Sequence, residues 1–205
     1  MRISPLVWLL FTVALIVIIT FVRPEEKTLG ANVRIVYLHG AWVLAAEIAF
    51  FAAALGGLAG LIIRRSVFHR WSAALGRAGI IFWVTYLPLS LWAMQTNWNG
   101  LFLSEPRFRL ASIFAVTGVL LQGGLAIINQ PVLTSAANVA FIVVLRLAFS
   151  QAVYVMHPPP SPIFNSGNWQ IIGFFIVLNL LVLVAVWQVA IIFIKRSRTG
   201  QETQK

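Results

Sequence analysis

Long apolar stretches alternate with short polar segments along the whole chain. Six stretches are long enough to cross a bilayer, which requires about 20 apolar residues per helix. They cover residues 5–22, 36–63, 72–95, 110–128, 132–156 and 169–194. Because backbone groups in lipid must satisfy their hydrogen bonds within the segment, each stretch is predicted to be an α-helix. The pattern predicts an all-α polytopic membrane protein, a six-transmembrane-helix bundle that forms one integral membrane domain over residues 1–205.

Composition agrees with this reading, since the 205 residues are 60% hydrophobic and only 10% charged. A soluble domain cannot cover so much apolar surface, so the lipid bilayer is the expected solvent. The net charge of +10 comes from basic residues at helix ends, which indicates membrane topology rather than nucleic-acid binding. The chain has no cysteine, which excludes disulfides and covalent haem attachment. We find no nucleotide-binding loop and no catalytic constellation, and we expect no enzymatic activity.

Basic residues predict the orientation of the helices. They concentrate in the connection after the second stretch and in the C-terminal tail, at Arg64, Arg65, Arg70, Arg77, Lys195, Arg196, Arg198 and Lys205. Positive segments stay in the cytoplasm, so with six spans both termini are predicted to be cytoplasmic. The first stretch ends without a small-residue cleavage site and is expected to be retained as a helix.

Two histidines fall at the outer face of the predicted bundle. His39 opens the second helix, and His157 closes the fifth, just before the proline run 158–160. Two neutral imidazoles at one depth can supply both axial ligands of a haem iron. The alternative is that both are ordinary hydrogen-bonding groups at a membrane surface.

Residues near these histidines favour the haem interpretation. Arg34 lies just before His39, and Arg107 and Arg109 lie in the middle outer connection. Guanidinium groups pair well with carboxylates such as haem propionates. Trp98 and Phe102 in the same connection could pack against a porphyrin, although an aromatic belt at the membrane interface would use the same residue types.

The run Arg34-Ile35-Val36-Tyr37-Leu38-His39 resembles the R-I-x-Y-L-H stretch of CcmC-type haem-handling proteins of cytochrome c maturation. The six-span layout, a second histidine after the fifth span and a final helix beginning at Trp169 are similar to that family too. The resemblance implies a non-covalent, b-type haem held between His39 and His157 at the extracytoplasmic face of a bacterial inner membrane. It also implies transfer of that haem, with an ABC transporter and a periplasmic haem chaperone as partners.

The family's tryptophan-rich signature, W-G-x-W-W-x-W-D-x-R, is degenerate in this chain. Trp98, Glu105 as the acid, and Arg107 match it by position. The remaining tryptophans are replaced by Leu101, Phe102 and Ser104. Most of the aromatic platform that would present haem to a chaperone is therefore missing. This departure leaves open a second function, a structural subunit of a larger respiratory or photosynthetic membrane complex.

Three further polar residues lie in or near apolar stretches. Glu47 is about 12 Å inward of His39, and Arg146 about 16 Å inward of His157, at the helical rise per residue. Charges at membrane depth are usually paired, so we expect an ion pair between the second and fifth helices. His69 lies in the basic connection and is expected to be an ordinary interfacial residue.

Overall fold

In a computed structural model, six α-helices account for most of the chain. They are α1 (Pro5–Phe21), α2 (Val33–Ile63), α3 (Ser66–Trp98), α4 (Pro106–Ile128), α5 (Pro131–Ser150) and α6 (Trp169–Glu202). A short 3-10 helix, Phe164–Ser166, lies between α5 and α6. The structure describes residues 4–22, 24–27, 29–155 and 162–202, with side chains up to residue 196.

Five of these helices, α2 to α6, are long and apolar enough to cross a membrane. The remaining helix, α1, is apolar but has 17 residues. The prediction of an all-α membrane bundle is confirmed, with five long spans rather than six. The lengths differ widely, since α2 and α3 have 31 and 33 residues and α5 has 20. At the helical rise, α2 and α3 are about 46 and 50 Å long, whereas α5 is about 30 Å long.

The helices form three layers around an antiparallel hairpin of α2 and α3. One outer layer consists of α5, which packs against both helices of the hairpin, and α4, which packs against α3 and α5. The other consists of α6, which also packs against both, and α1 beside it. Among the described residues, neither α4 nor α5 contacts α1 or α6. The hairpin therefore separates the two outer layers.

Small residues allow the helices to approach closely. Buried alanines line the hairpin, among them Ala41, Ala45, Ala49 and Ala78. A Cβ added to Gly79 of α3 would lie 2.6 Å from the ring of Phe50 on α2. A Cβ added to Gly57 of α2 would lie 2.8 Å from the backbone oxygen of Ser135 on α5. Backbones this close leave no room for larger side chains, as is common in membrane helix packing.

The two ends of the hairpin differ, and we name them by their histidines. At the His69 end, where α2 ends and α3 begins, Arg64 adopts a positive φ of 57° that reverses the chain. At the His39 end, where α2 begins and α3 ends, the Asn32 amide donates to the carbonyl oxygen of Thr96 at 3.0 Å. The helices are thus held together along their whole length.

The fifth helix ends earlier than its hydropathy predicts. We expected it to continue to residue 156 and to be closed by His157, but α5 ends at Ser150. Residues 151–155 are not helical, and Tyr154 has a positive φ of 56°. The apolar residues Val153 and Val155 continue the hydrophobic pattern past the helix end, so hydropathy alone cannot locate it.

Replacing Gly57 tests the close packing of α2. We expect Gly57→Ala to destabilise the protein by about 1–3 kcal/mol, as overpacking of an interior does, because its new Cβ would meet the backbone of α5. Gly123→Ala on α4 is the matched control, since nothing lies within 4 Å of its added Cβ. Thermal unfolding in detergent should show a lower midpoint for Gly57→Ala alone. Equal midpoints for the two variants would contradict the packing.

Candidate functional site

His39 lies in the second turn of α2, partly buried, beside α3. Its ring centroid is 5.5 Å from that of Tyr86, with the planes tilted by 43°. The neighbouring Gly40 faces α6, where an added Cβ would lie 3.3 Å from the Phe175 ring and 3.8 Å from Ile163. His39 is therefore placed where the central hairpin meets the start of α6 and the connection that precedes it.

His157, the second predicted ligand, lies outside the described residues. Before it, the described chain continues from the end of α5, and after it, the described chain resumes and leads into α6. On the near side, Tyr154 is 96% exposed. On the far side, Ile163 reaches Gly40, and the Phe164 ring lies 5.5 Å from that of Phe175. The connection that carries His157 thus ends against α2 one residue from His39.

The predicted aromatic and basic segment spans the end of α3, a loop and the start of α4. Trp98 is the last residue of α3 and is partly buried, whereas Phe102 is exposed in the loop. The Glu105 carboxylate accepts a hydrogen bond from the backbone N–H of Phe108 at 2.6 Å. Glu105 therefore caps α4, and Pro106 occupies the first turn, where its missing N–H costs nothing.

The predicted arginines lie in three different environments. The Arg34 guanidinium lies 5.2 Å from the centre of the Phe21 ring, where α1 ends. Arg109 is exposed on α4. Arg107 is partly buried and lies within electrostatic range of Glu47. The three arginines thus differ in exposure and in the side chains near them.

The predicted ion pair between α2 and α5 is confirmed. Arg146 Nη1 donates to Glu47 Oε2 at 2.9 Å. The Arg146 side chain nevertheless remains 52% exposed, and that of Glu47 22% exposed. The pair therefore lies at the surface of the bundle, along the seam between α2 and α5.

His69 departs from its expected role, because it is buried in the bundle and joins two helices. Its Nδ1 lies 2.7 Å from the Ser135 hydroxyl of α5, and its ring fills the space left by Gly60 of α2. An ordinary interfacial histidine would be exposed to solvent or headgroups. His69 instead contributes a hydrogen bond to the packing of α3 on α5.

Further buried hydrogen bonds lie one turn from His69, where α3 packs against α5, and together with the His69–Ser135 bond they form a polar network. The Asn138 amide of α5 donates to the Ser72 hydroxyl and to the Ser72 carbonyl oxygen, at 3.0 Å each. Gln122 of α4 donates to Asn138 Oδ1 at 2.8 Å. Sequence reasoning missed this network. The sequence did contain an indication of it: His69 and Ser72 are three residues apart, and so are Ser135 and Asn138. This spacing places the two polar residues of each pair on one face of their helix.

Removing a hydroxyl from this network should weaken the fold. We expect Ser135→Ala to cost about 1 kcal/mol, the usual value of an interhelical hydrogen bond in a membrane, because His69 Nδ1 loses its partner. Ser150→Ala is the control, since that hydroxyl bonds the Leu147 carbonyl within its own helix. Unfolding in a denaturing detergent should show a lower midpoint for Ser135→Ala. A loss as large in Ser150→Ala would argue against the network.

The described residues supply one imidazole, several guanidinium groups and aromatic rings at the His39 end. Within the described part of the chain, no group of three or more His, Cys, Asp or Glu side chains could hold a metal ion. A haem iron needs two axial donors rather than such a group, and of the two predicted donors the described residues include His39. No protein-family model, curated protein or solved structure matches the chain.

Proposed function

We propose that this protein binds haem non-covalently between His39 and His157 and holds it for transfer in cytochrome c biogenesis. The observation that supports this most is the return of the chain to His39. Ile163 lies against Gly40, next to His39. His157 precedes Ile163 by six residues, and six residues extend over about 21 Å at most. The chain length thus allows both imidazoles to reach one space.

The side chains at this end have the chemistry that a b-type haem requires. His39 and His157 would hold the iron, and Trp98 and Phe102 would flank the porphyrin. The propionate carboxylates would be bound by the guanidinium groups of Arg34, Arg107 and Arg109. Bound haem supplies a redox-active iron and a group that can be passed to another protein.

We propose that α1 is the sixth span and that both termini are cytoplasmic, in a bacterial inner membrane. The Gln188 amide of α6 donates to the Thr12 hydroxyl in the middle of α1 at 2.9 Å, and Phe21 at the C-terminal end of α1 lies beside Arg34. These contacts support an α1 that runs along α6 through most of the bilayer. The His39 end is then extracytoplasmic, where a periplasmic haem chaperone could receive haem, with an ABC transporter as a second partner.

One observation favours the alternative function, a structural subunit of a larger respiratory or photosynthetic complex. The Glu105 carboxylate is used to cap α4, and Arg107 lies within range of Glu47. Glu105, one of the three signature residues that this chain retains, therefore has a role within its own fold. Haem binding distinguishes the two functions, because a scaffold needs none.

Haem retention tests the proposed function. The purified protein, given haem, should retain it and show the sharp reduced-state bands of a two-imidazole haem. His39→Ala and His157→Ala should each lower the haem-to-protein ratio about tenfold or more, since one axial ligand accounts for at least about 1.4 kcal/mol of binding. Haem content and visible absorption provide the measurement.

The control variant is His69→Asn, which removes the third imidazole of the chain and keeps an amide to bond Ser135. It should retain haem as the wild-type protein does. Loss of haem in His69→Asn equal to that in His39→Ala would show that retention reports folding rather than ligation. A wild-type protein that retains no haem would favour the structural subunit.

Topology is tested separately with reporter fusions in intact cells. Fusions at Gly167 and Gly200 should report opposite sides of the membrane, because the candidate span Trp169–Arg196 of α6 lies between them. A fusion at the N-terminus should report the same side as Gly200 if α1 crosses the bilayer. An N-terminal signal from the side of Gly167 would show that α1 does not span.

A further inference from the structure

We propose that two copies of this chain associate through the seam between α2 and α5, with the Glu47–Arg146 pair at the centre of the interface. The proposal rests on the depth, exposure and charge pattern of that pair. It does not depend on haem binding, because the seam lies below His39 and involves none of the proposed ligands.

The first observation is the depth of the pair. Glu47 is the fifteenth of the 31 residues of α2, and its carboxylate bonds Arg146 at 2.9 Å. Helical side chains lean toward the helix N-terminus. Arg146 is the sixteenth of the 20 residues of α5. Its side chain therefore leans away from the C-terminal end of α5, which is the nearer end. The guanidinium is held beside the Glu47 carboxylate, at mid-length of α2.

The second observation is exposure. Half of the Arg146 side chain is open at the bundle surface, and a cation facing hydrocarbon at this depth costs several kcal/mol. Its partner, Glu47, is itself partly exposed. Membrane proteins cover such groups with protein or a water-filled cavity. Another protein surface at the seam would remove this cost.

The third observation is that the seam is complementary to itself. Of the five acidic residues, at positions 25, 26, 47, 105 and 202, Glu47 alone lies within an apolar helical stretch. A twofold axis along the seam would place Arg146 of one copy beside the partner's Glu47, and the reverse. The four charges then alternate in sign around the axis, as the equivalent contacts of an isologous interface require. A second copy would therefore cover the exposed part of the guanidinium and bring a second carboxylate beside it.

Apolar side chains beside the pair complete the surface. On α2, the exposed residues Ile48, Phe51 and Leu55 recur every three to four positions, so they lie on one face. On α5, Val143 and Leu147 are exposed on either side of Arg146 in sequence. These apolar side chains would pack between the two copies on either side of the ion pair.

Cysteine cross-linking in native membranes tests the interface, because the chain has no cysteine of its own. Val143→Cys and Leu147→Cys are introduced singly and treated with a mild oxidant. We expect a disulfide-linked dimer of this chain for at least one of them. Leu120→Cys is the matched control, since Leu120 is an exposed leucine on α4, and it should stay monomeric. Absence of cross-linking at both α5 positions, or equal cross-linking at Leu120→Cys, would overturn the proposal.

A charge exchange then identifies the contact between copies. Glu47→Arg gives a copy with two positive residues at the seam, and Arg146→Glu gives one with two negative residues. With Leu147→Cys in each, either copy alone should cross-link about tenfold less than the parent, because four like charges meet. The two co-expressed copies, carrying different tags, should recover the dimer as a mixed pair. Recovery of mixed dimers requires Glu47 and Arg146 to meet between copies, and failure to recover them overturns the proposal.

The charged variants could fail to insert into the membrane. The double variant Glu47→Gln, Arg146→Gln then provides the test, because it leaves no unpaired charge in the membrane. It should fold, as its thermal midpoint will show, and cross-link several-fold less than the parent. Unchanged cross-linking would mean that the pair acts only within one copy. A cross-link from Leu147→Cys to a different protein would likewise overturn the proposal.

Discussion

The close approach of α2 and α3 is the constraint on which the rest of this structure depends. Alanine and glycine line the contact, and at Gly79 even one added carbon would collide with Phe50. Lipid offers no hydrophobic drive for helices to associate, so close van der Waals contact and hydrogen bonds must hold them together. Two glycines of α2 allow the same close approach by its neighbours, since Ser135 of α5 lies against Gly57 and His69 of α3 lies against Gly60.

The polar groups of the bundle follow from this geometry, and each region has a different role. Near the His69 end, the buried network from His69 to Gln122 holds α3, α4 and α5 together. At mid-length, the Glu47–Arg146 pair bonds α2 to α5 while remaining partly exposed. At the His39 end, α2 and α3 extend well beyond the end of the shorter α5. Those extensions and the start of α6 form the surroundings of His39.

Hydropathy was sufficient to predict the six helices and the all-α class, because every helix is apolar over most of its length. The Glu47–Arg146 pair was predictable as well, since charges at matching depths in lipid have few other partners. Hydropathy could not locate the end of α5, where Val153 and Val155 are as apolar as the helix itself. It also missed the network at His69, because neutral polar residues carry little hydropathy signal and their spacing is informative only once two helices are known to touch. Glu105 was interpreted through a family resemblance, as the acid of a tryptophan-rich signature. In the structure, its carboxylate caps the N-terminus of α4.

The central claim is that His39 and His157 share one space, and distance between the two positions tests it most directly. In the cysteine-free chain, the double variant His39→Cys, His157→Cys can be treated with a short bismaleimide in native membranes. The mass of the intact monomer then shows whether one reagent joins both thiols. His39→Cys with Asn129→Cys, at the turn between α4 and α5, is the control pair from the opposite end of the bundle. We expect one reagent molecule to join the thiols at positions 39 and 157, and we expect no such bridge in the control pair. Two separately modified thiols at positions 39 and 157 would contradict it.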